Sequence, residues 1–331
     1  MSFELILPFL RPIEPLLLDD SISEIMGNPD TSWWYERDGV IQRERTISFE
    51  PSKLRIGLEV IANHLGKKLD EDNPILHVQL PDGSRLAAVI PPVVQPSPAL
   101  TIRKFTSRRY TVEDLITRGT MGRPLAEFLT EQVCAGKTIL ISGGTGSGKT
   151  TLLRILADAI PDRERIVVIE DTSELQIQKP NILAVECQSD TFKTDISFDG
   201  LLKSALRWRP DRIILGEVRG IEARTLLDSF NTGHAGSLAT IHANSAEKAL
   251  HRFANLVMRN HALITFADTE AEIADAVDFV VHVERQPGCR IVREVLALHG
   301  YNRDTKRFLI DPVFATQYNA IQDCEKSSHS T

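Results

Sequence analysis

Apolar positions change rhythm along the chain, and the change marks two regions. Up to about residue 100, short apolar runs alternate with turn signals: Gly27-Asn28-Pro29-Asp30, Asp38-Gly39 and Pro81-Asp82-Gly83-Ser84. Leu54, Leu58, Ile61 and Leu65 recur at helical spacing, which predicts a helix over 51–65. The Asp82-Gly83 turn separates apolar runs at 75–80 and 85–90 and predicts a hairpin. Together these features read as a small α+β domain.

Pro91, Pro92, Pro96 and Pro98 then exclude a helix or a central strand and suggest a stiff connector or edge segment. A strand-like piece at 99–105 follows, and then the polar Thr106-Ser107-Arg108-Arg109, a solvated turn. Beyond it, strand patterns over 138–142, 165–170, 212–216, 237–241, 277–283 and 291–298 alternate with helical stretches. That alternation predicts a mainly parallel sheet with helices on both faces. The expected organisation is an N-terminal α+β domain at 1–105, a linker at 106–112, an α/β domain at 113–314 and a disordered polar tail at 315–331.

Composition narrows the function classes. A length of 331 residues suits two domains, and 42% hydrophobic with 25% charged residues is ordinary for globular proteins. The formal charge of −7 argues against non-specific nucleic-acid binding. Cys134, Cys187, Cys289 and Cys324 are far apart and form no CxxC pair, so reduced thiols are expected rather than a disulfide framework or zinc site. The apolar start at 5–18 is broken by Arg11, Glu14 and three prolines, and no run reaches the ~20 residues of a membrane span. The expected location is cytoplasmic. Residues 5–10 could dock on a lipid surface or a partner, but such a segment more often packs into its own domain.

The strongest chemical signal is Gly143-Gly144-Thr145-Gly146-Ser147-Gly148-Lys149-Thr150, a GxxxxGK[ST] phosphate loop between an apolar strand and a helix with an apolar face of Leu152, Leu153, Leu156 and Ile160. Glycines let backbone N–H groups from Gly144 to Thr151 turn toward phosphate, and the helix N-terminus adds a favourable dipole. Lys149 can neutralise β/γ charge, and the Thr150 hydroxyl can ligate Mg²⁺. The spacing does not fit a dinucleotide GxGxxG turn. The expected ligands are ATP and Mg²⁺.

Acidic groups follow two later strands: Glu170-Asp171-Thr172-Ser173-Glu174 and Glu217-Val218-Arg219-Gly220. Ligands of open α/β sheets bind at strand C-termini, so both groups should converge on the phosphate loop. Gly216 stands where many phosphate-loop ATPases carry an Asp. Glu217 is therefore expected to orient the attacking water, with Glu174 or Asp171 assisting around the metal. For Glu170 a capping role is as good a reading. No NKxD base-reading segment is present.

Four blocks in order resemble the type II/IV secretion ATPase superfamily: 143–150 (Walker A), 169–175 (Asp box), 209–220 (Walker B) and 232–244 (His box). The forms EDTSEL and GEVRG are similar to the TrbB-type conjugal transfer branch, close to type IV secretion traffic ATPases and Flp-pilus ATPases. The resemblance implies a RecA-like ATPase domain behind a smaller N-terminal domain, in a homo-oligomeric ring of six. It implies an ATP-hydrolysing motor for conjugative transfer, type IV secretion or pilus assembly. Its partners would be inner-membrane components of such an apparatus, with the motor peripheral on the membrane's inner face. It matches Glu217 to the Walker B glutamate and Glu174 to the second Asp-box acid. His234 and His242 match the His-box positions that sense γ-phosphate, and Arg103 matches an N-terminal-domain arginine that reaches the phosphates. Arg219 is placed to answer a neighbouring subunit's nucleotide. A type II secretion or pilus ATPase, or a nucleotide-gated scaffold with little hydrolysis, remains the alternative.

Overall fold

The computed structural model describes residues 3–37, 39–105, 109–187, 196–259, 264–286 and 288–315. Expectations for Asp38, for 106–108, for Cys324 and for the tail after Ala315 lie outside the described residues. The chain forms two compact units, Met1–Arg109 and Tyr110–Thr331.

In the first unit, α1 (Glu14–Leu18) and α2 (Pro51–His64) accompany strands β1 (Ile22–Gly27), β2 (Trp33–Arg37), β3 (Val40–Glu44), β4 (Ile75–Gln79), β5 (Arg85–Val89) and β6 (Ala99–Arg103). The strands form one sheet in the order β3-β2-β1-β6-β5-β4, with every pairing antiparallel. The expected hairpin is β4–β5, and Gly83 holds its turn at φ +90°. Pro51 opens α2, where its missing N–H costs no hydrogen bond. The predicted stripe delivers Leu54, Leu58 and Ile61 to a core shared with Leu10, Ile13, Ile25, Leu86 and Ile102. Each such side chain contributes roughly 1.5–3 kcal/mol by leaving water. The proline-rich segment does not connect domains. It closes the loop between β5 and β6, which are neighbours in the sheet.

The second unit comprises α3 (Val112–Thr117), α4 (Arg123–Cys134), β7 (Ile139–Gly143), α5 (Lys149–Ala157), β8 (Ile166–Glu170), β9 (Ile182–Glu186) and α6 (Phe198–Ala205). It continues with β10 (Arg212–Val218), α7 (Glu222–Asn231), β11 (Leu238–His242), α8 (Ala246–Met258), α9 (Phe266–Ala276), β12 (Phe279–Gln286), β13 (Cys289–Asn302) and β14 (Arg307–Ala315). Thr111, inside the segment read as linker, caps α3 through a reciprocal bond pair with Asp114.

The sheet order is β14-β13-β12-β7-β11-β10-β8-β9. Pairing is parallel from β12 to β9, and antiparallel where β13 and β14 extend it. β7 and β8 are buried at every position, as strands covered on both faces must be. One face packs α6 to α9 through Leu202, Leu226, Leu250 and Ile273, and the other packs α3 to α5 through Leu115, Leu129 and Leu153. The sequence reading did not anticipate β9 or β14. β9 is an edge strand that is only half buried, and β14 contains Pro312, which an edge strand tolerates.

Strand register decides what meets at the sheet's C-terminal edge. Gly143 of β7 pairs with His242 of β11 on one side and Val283 of β12 on the other. β10 adjoins β11 and carries Glu217 near its end.

Candidate active site

The phosphate loop bends where its glycines allow. Gly146 and Gly148 take φ +68° and +95°, and Lys149 starts α5 directly afterwards. A Cβ on Gly143 would overlap the Val283 carbonyl oxygen and lie 2.5 Å from Ser147 Oγ, so close packing by β12 fixes that glycine. Gly144, Thr145 and Gly146 are exposed, while Thr150 and Thr151 are half-buried on the first turn of α5. Lys149 is buried, and its Nζ donates to the carbonyls of Gly143 (3.0 Å) and Gly144 (2.7 Å).

Lys149 Nζ also stands 3.5 Å from His242 Nδ1, and His242 Nε2 lies 3.2 Å from Glu217 Oε1. Burial, and next the Lys149 charge, lower the His242 pKa below its ordinary value, so the ring is neutral at pH 7. An ammonium can only donate, so Nδ1 accepts and the ring proton sits on Nε2, which donates to Glu217. The second Glu217 oxygen accepts from Arg219 Nη2 at 2.9 Å, and Arg219 Nη1 reaches Asp171 at 3.2 Å. The order Lys149, His242, Glu217, Arg219, Asp171 is thus one connected chain of polar groups.

Glu217 is aimed by an irregularity. Between Leu215 and Val218, β10 carries one residue more than β11 between their paired positions, the count of a β-bulge. The Thr240 hydroxyl pins it by donating to the Gly216 carbonyl at 2.5 Å. Gly216 also suits its place, since a Cβ there would lie 3.3 Å from Glu170 Cγ. An Asp at 216 would crowd a buried carboxyl.

Glu170 is buried, and its Oε1 accepts from the backbone N–H groups of Glu174 (3.0 Å) and Leu175 (2.9 Å). It shapes the Asp-box loop and places Glu174, which is half-buried there. Burial pushes the Glu170 carboxyl up to about 7, against those two N–H bonds, with Glu174 and Glu186 adding like charge. With an ordinary value of 4.5 in the unfolded chain, its contribution to stability is fully present below that pH and is lost as pH rises through about 7. Glu170→Gln keeps an oxygen for both N–H groups. It is expected to lose less stability than wild type between about pH 5 and about pH 8, by up to about 3 kcal/mol. Urea unfolding across that range reads the difference, and identical slopes would contradict it.

Not every expected residue joins this cluster. His234 precedes β11, and its Nδ1 lies 3.3 Å from the Ser229 carbonyl oxygen. Its neighbour Gly236 bonds to Thr138 and Arg212, at the N-terminal starts of β7 and β10. His234 therefore stands at the sheet edge opposite the phosphate loop, about five residues or ~16 Å of strand from His242. Arg219 does join the cluster, through Glu217 and Asp171 of its own chain. Arg103 ends β6 in the first unit and is exposed.

The donor set fits a nucleoside triphosphate. The buried Ser147 Oγ has no hydrogen-bond partner among the described residues, the loop glycines leave room for phosphate, and Lys149 supplies a cation. A cavity of about 420 Å³ opens beside Gly143, Gly144 and His242, and Lys248 and Arg252 of α8, with Arg259 just after the helix, line it, a setting that attracts anions. No cluster of three or more His, Cys, Asp or Glu among the described residues could hold a metal unaided. Mg²⁺ would be held by Thr150 together with phosphate oxygens and water, the usual manner for this cation. Asp171, the other residue expected near the metal, accepts from Arg219 Nη1.

Sequence reasoning missed the tip of the β12–β13 hairpin, where Arg290 Nε donates to the Gly146 carbonyl at 3.0 Å. In the sequence, the pair Pro287-Gly288 between two apolar runs could have signalled a hairpin, but not its position over the phosphate loop.

The sequence profile of the family described as type II/IV secretion system protein matches residues 10–330. The chain is 38% identical over 295 residues to the conjugal transfer protein TrbB of Rhizobium radiobacter, covering 87% of each. It is 33% identical over 313 residues to the type IV secretion system protein PtlH of Bordetella pertussis, covering 87% of this chain and 92% of that one. Among solved structures, the Legionella pneumophila ATPase DotB superposes with a TM-score of 0.61 at 17% identity, over 99% of this chain and 88% of that one. This likeness bears on the two-domain fold.

Proposed function

The chain belongs to the type II/IV secretion system protein family, and from that premise we propose that it is the ATP-hydrolysing motor of a conjugal transfer or type IV secretion apparatus. The observation that carries this reading is the run of contacts from Lys149 through His242 to Glu217. A group that binds the terminal phosphates and a carboxylate able to take a proton from water are joined by one neutral imidazole. A protein that only bound ATP would have little need of the carboxylate.

In the proposed reaction, backbone N–H groups of 144–151 and Lys149 hold the β- and γ-phosphates. Mg²⁺, when bound through Thr150, neutralises charge between them. Glu217 orients the attacking water and accepts its proton, while His242 and Arg219 fix the two carboxylate oxygens so that one lone pair remains directed at the water. Loss of γ-phosphate changes what Lys149 and His242 meet, which makes the imidazole the natural reporter of nucleotide state. Glu174 would act around the cation.

The motor is proposed to work as a homo-oligomer, a ring of six. It would sit on the inner face of the inner membrane against membrane components of the apparatus, without sequence-specific binding of nucleic acid. No helix among the described residues is long and apolar enough to cross a membrane. Gel filtration in Mg-ATP tests the assembly: ATP turnover is expected to follow a ring-sized peak. Turnover confined to a monomer peak would overturn the ring, and its absence from every fraction would overturn the motor.

A further inference from the structure

We propose that Arg285 and Arg290, facing each other across the β12–β13 hairpin, form a cationic clamp on the α-phosphate and ribose end of the nucleotide. The proposal rests on the reading of 143–150 as an ATP site and adds a part of that site which no motif marks.

Sheet order gives the direction. β11 and β10 lie on one side of β7 and bring His242 and Glu217 to the γ-phosphate end, whereas β12 lies on the other side. A triphosphate whose last phosphate faces His242 and Glu217 therefore points its α-phosphate and ribose toward β12. Register gives the reach. Val283 pairs with Gly143, so the two residues that carry β12 on to Arg285 extend past the start of the phosphate loop. Arg285 and Arg290 are direct cross-strand partners, so their side chains share one face of the hairpin.

That face meets the loop. Arg290 Nε donates to the Gly146 carbonyl at 3.0 Å. A Cβ on Gly146 would come within 2.9 Å of Arg285 Nη1, and one on Gly148 within 3.1 Å of Arg290 Cδ. The loop needs glycine at 146 and 148 for its own φ angles, and the two arginine side chains lie against it there. An anion held between two guanidinium groups is attracted by both. A phosphodiester oxygen is such an anion, and a guanidinium fork suits it.

ATP and ADP share their α-phosphate and ribose, so the clamp should strengthen both equally and leave the chemical step alone. For Arg285→Ala and for Arg290→Ala, the KM for ATP and the Kd for ADP are expected to rise together by about tenfold, the scale of one charge-assisted contact. The loss in kcat/KM should therefore sit in KM. Arg290→Lys should recover part of the affinity. Arg285 is exposed, so its variant reports binding without disturbing packing, and thermal melts without nucleotide check both folds.

Unchanged ADP affinity in both alanine variants would overturn the clamp. So would a loss seen with ATP but not ADP, which would place the arginines at the γ end. A fall in kcat as large as that in kcat/KM would reduce them to supports of the loop. Wild-type protein that binds neither ATP nor ADP would instead overturn the reading of the site itself.

Discussion

Glu217→Gln is expected to lower ATP turnover by about 10²–10³-fold while leaving ATP affinity within about threefold. Glutamine keeps the length of the side chain, and its oxygen can still accept from His242 Nε2. The second position becomes an amide, which cannot accept from Arg219 Nη2 and cannot take a proton from water. The lost factor corresponds to about 3–4 kcal/mol of transition-state stabilisation, while the phosphate contacts of Lys149 and the loop are untouched. The variant should therefore hold ATP without consuming it. Single-turnover hydrolysis beside equilibrium nucleotide binding separates the two effects. Turnover within tenfold of wild type would remove Glu217 from the chemistry and favour a nucleotide-gated scaffold.

Lys149→Ala should have the larger effect on binding, weakening ATP by about 10²-fold or more and bringing turnover to background. The side chain is buried, and its ammonium is held by two carbonyls of the loop and faced by His242 Nδ1. Its removal takes away both the charge that meets the β- and γ-phosphates and a structural tie across the loop. The same variant makes a second, independent readout. The Lys149 charge is among the causes that lower the His242 pKa, so His242 should titrate at a higher pH in Lys149→Ala than in wild type. Proton NMR of the imidazole follows that shift, and calorimetry follows the nucleotide. ATP bound and hydrolysed within threefold of wild type would contradict the assignment of this loop.

Much of the site was legible because its parts are local. A phosphate loop must lie between a buried strand and a helix, and the glycine spacing with Lys149 and Thr150 states that arrangement in eight consecutive residues. Glu217 could be selected because it follows an apolar run that could only be a strand. His242 could be selected on the same ground. His234, taken from the same block, illustrates the limit. Strand β11 separates the two histidines, and a strand carries its ends to opposite edges of a sheet. Spacing that looks like a motif in sequence is then a distance across the fold.

The sequence by itself determined the fold class, the phosphate loop and the two strand-end acids, because each depends on contacts between residues close along the chain. Only the tertiary structure decided how those parts meet. The bulge at Gly216 that turns Glu217 toward His242 depends on a hydroxyl from Thr240, 24 residues away. The identity of Glu170 as the support of the Asp-box loop depends on burial, which raises its pKa to about 7, and burial is a property of the packed sheet. Arg290 of the β12–β13 hairpin reaches Gly146 from 144 residues along the chain. Periodicity constrains one element at a time, whereas register between strands and burial beneath them arise when all the elements pack together.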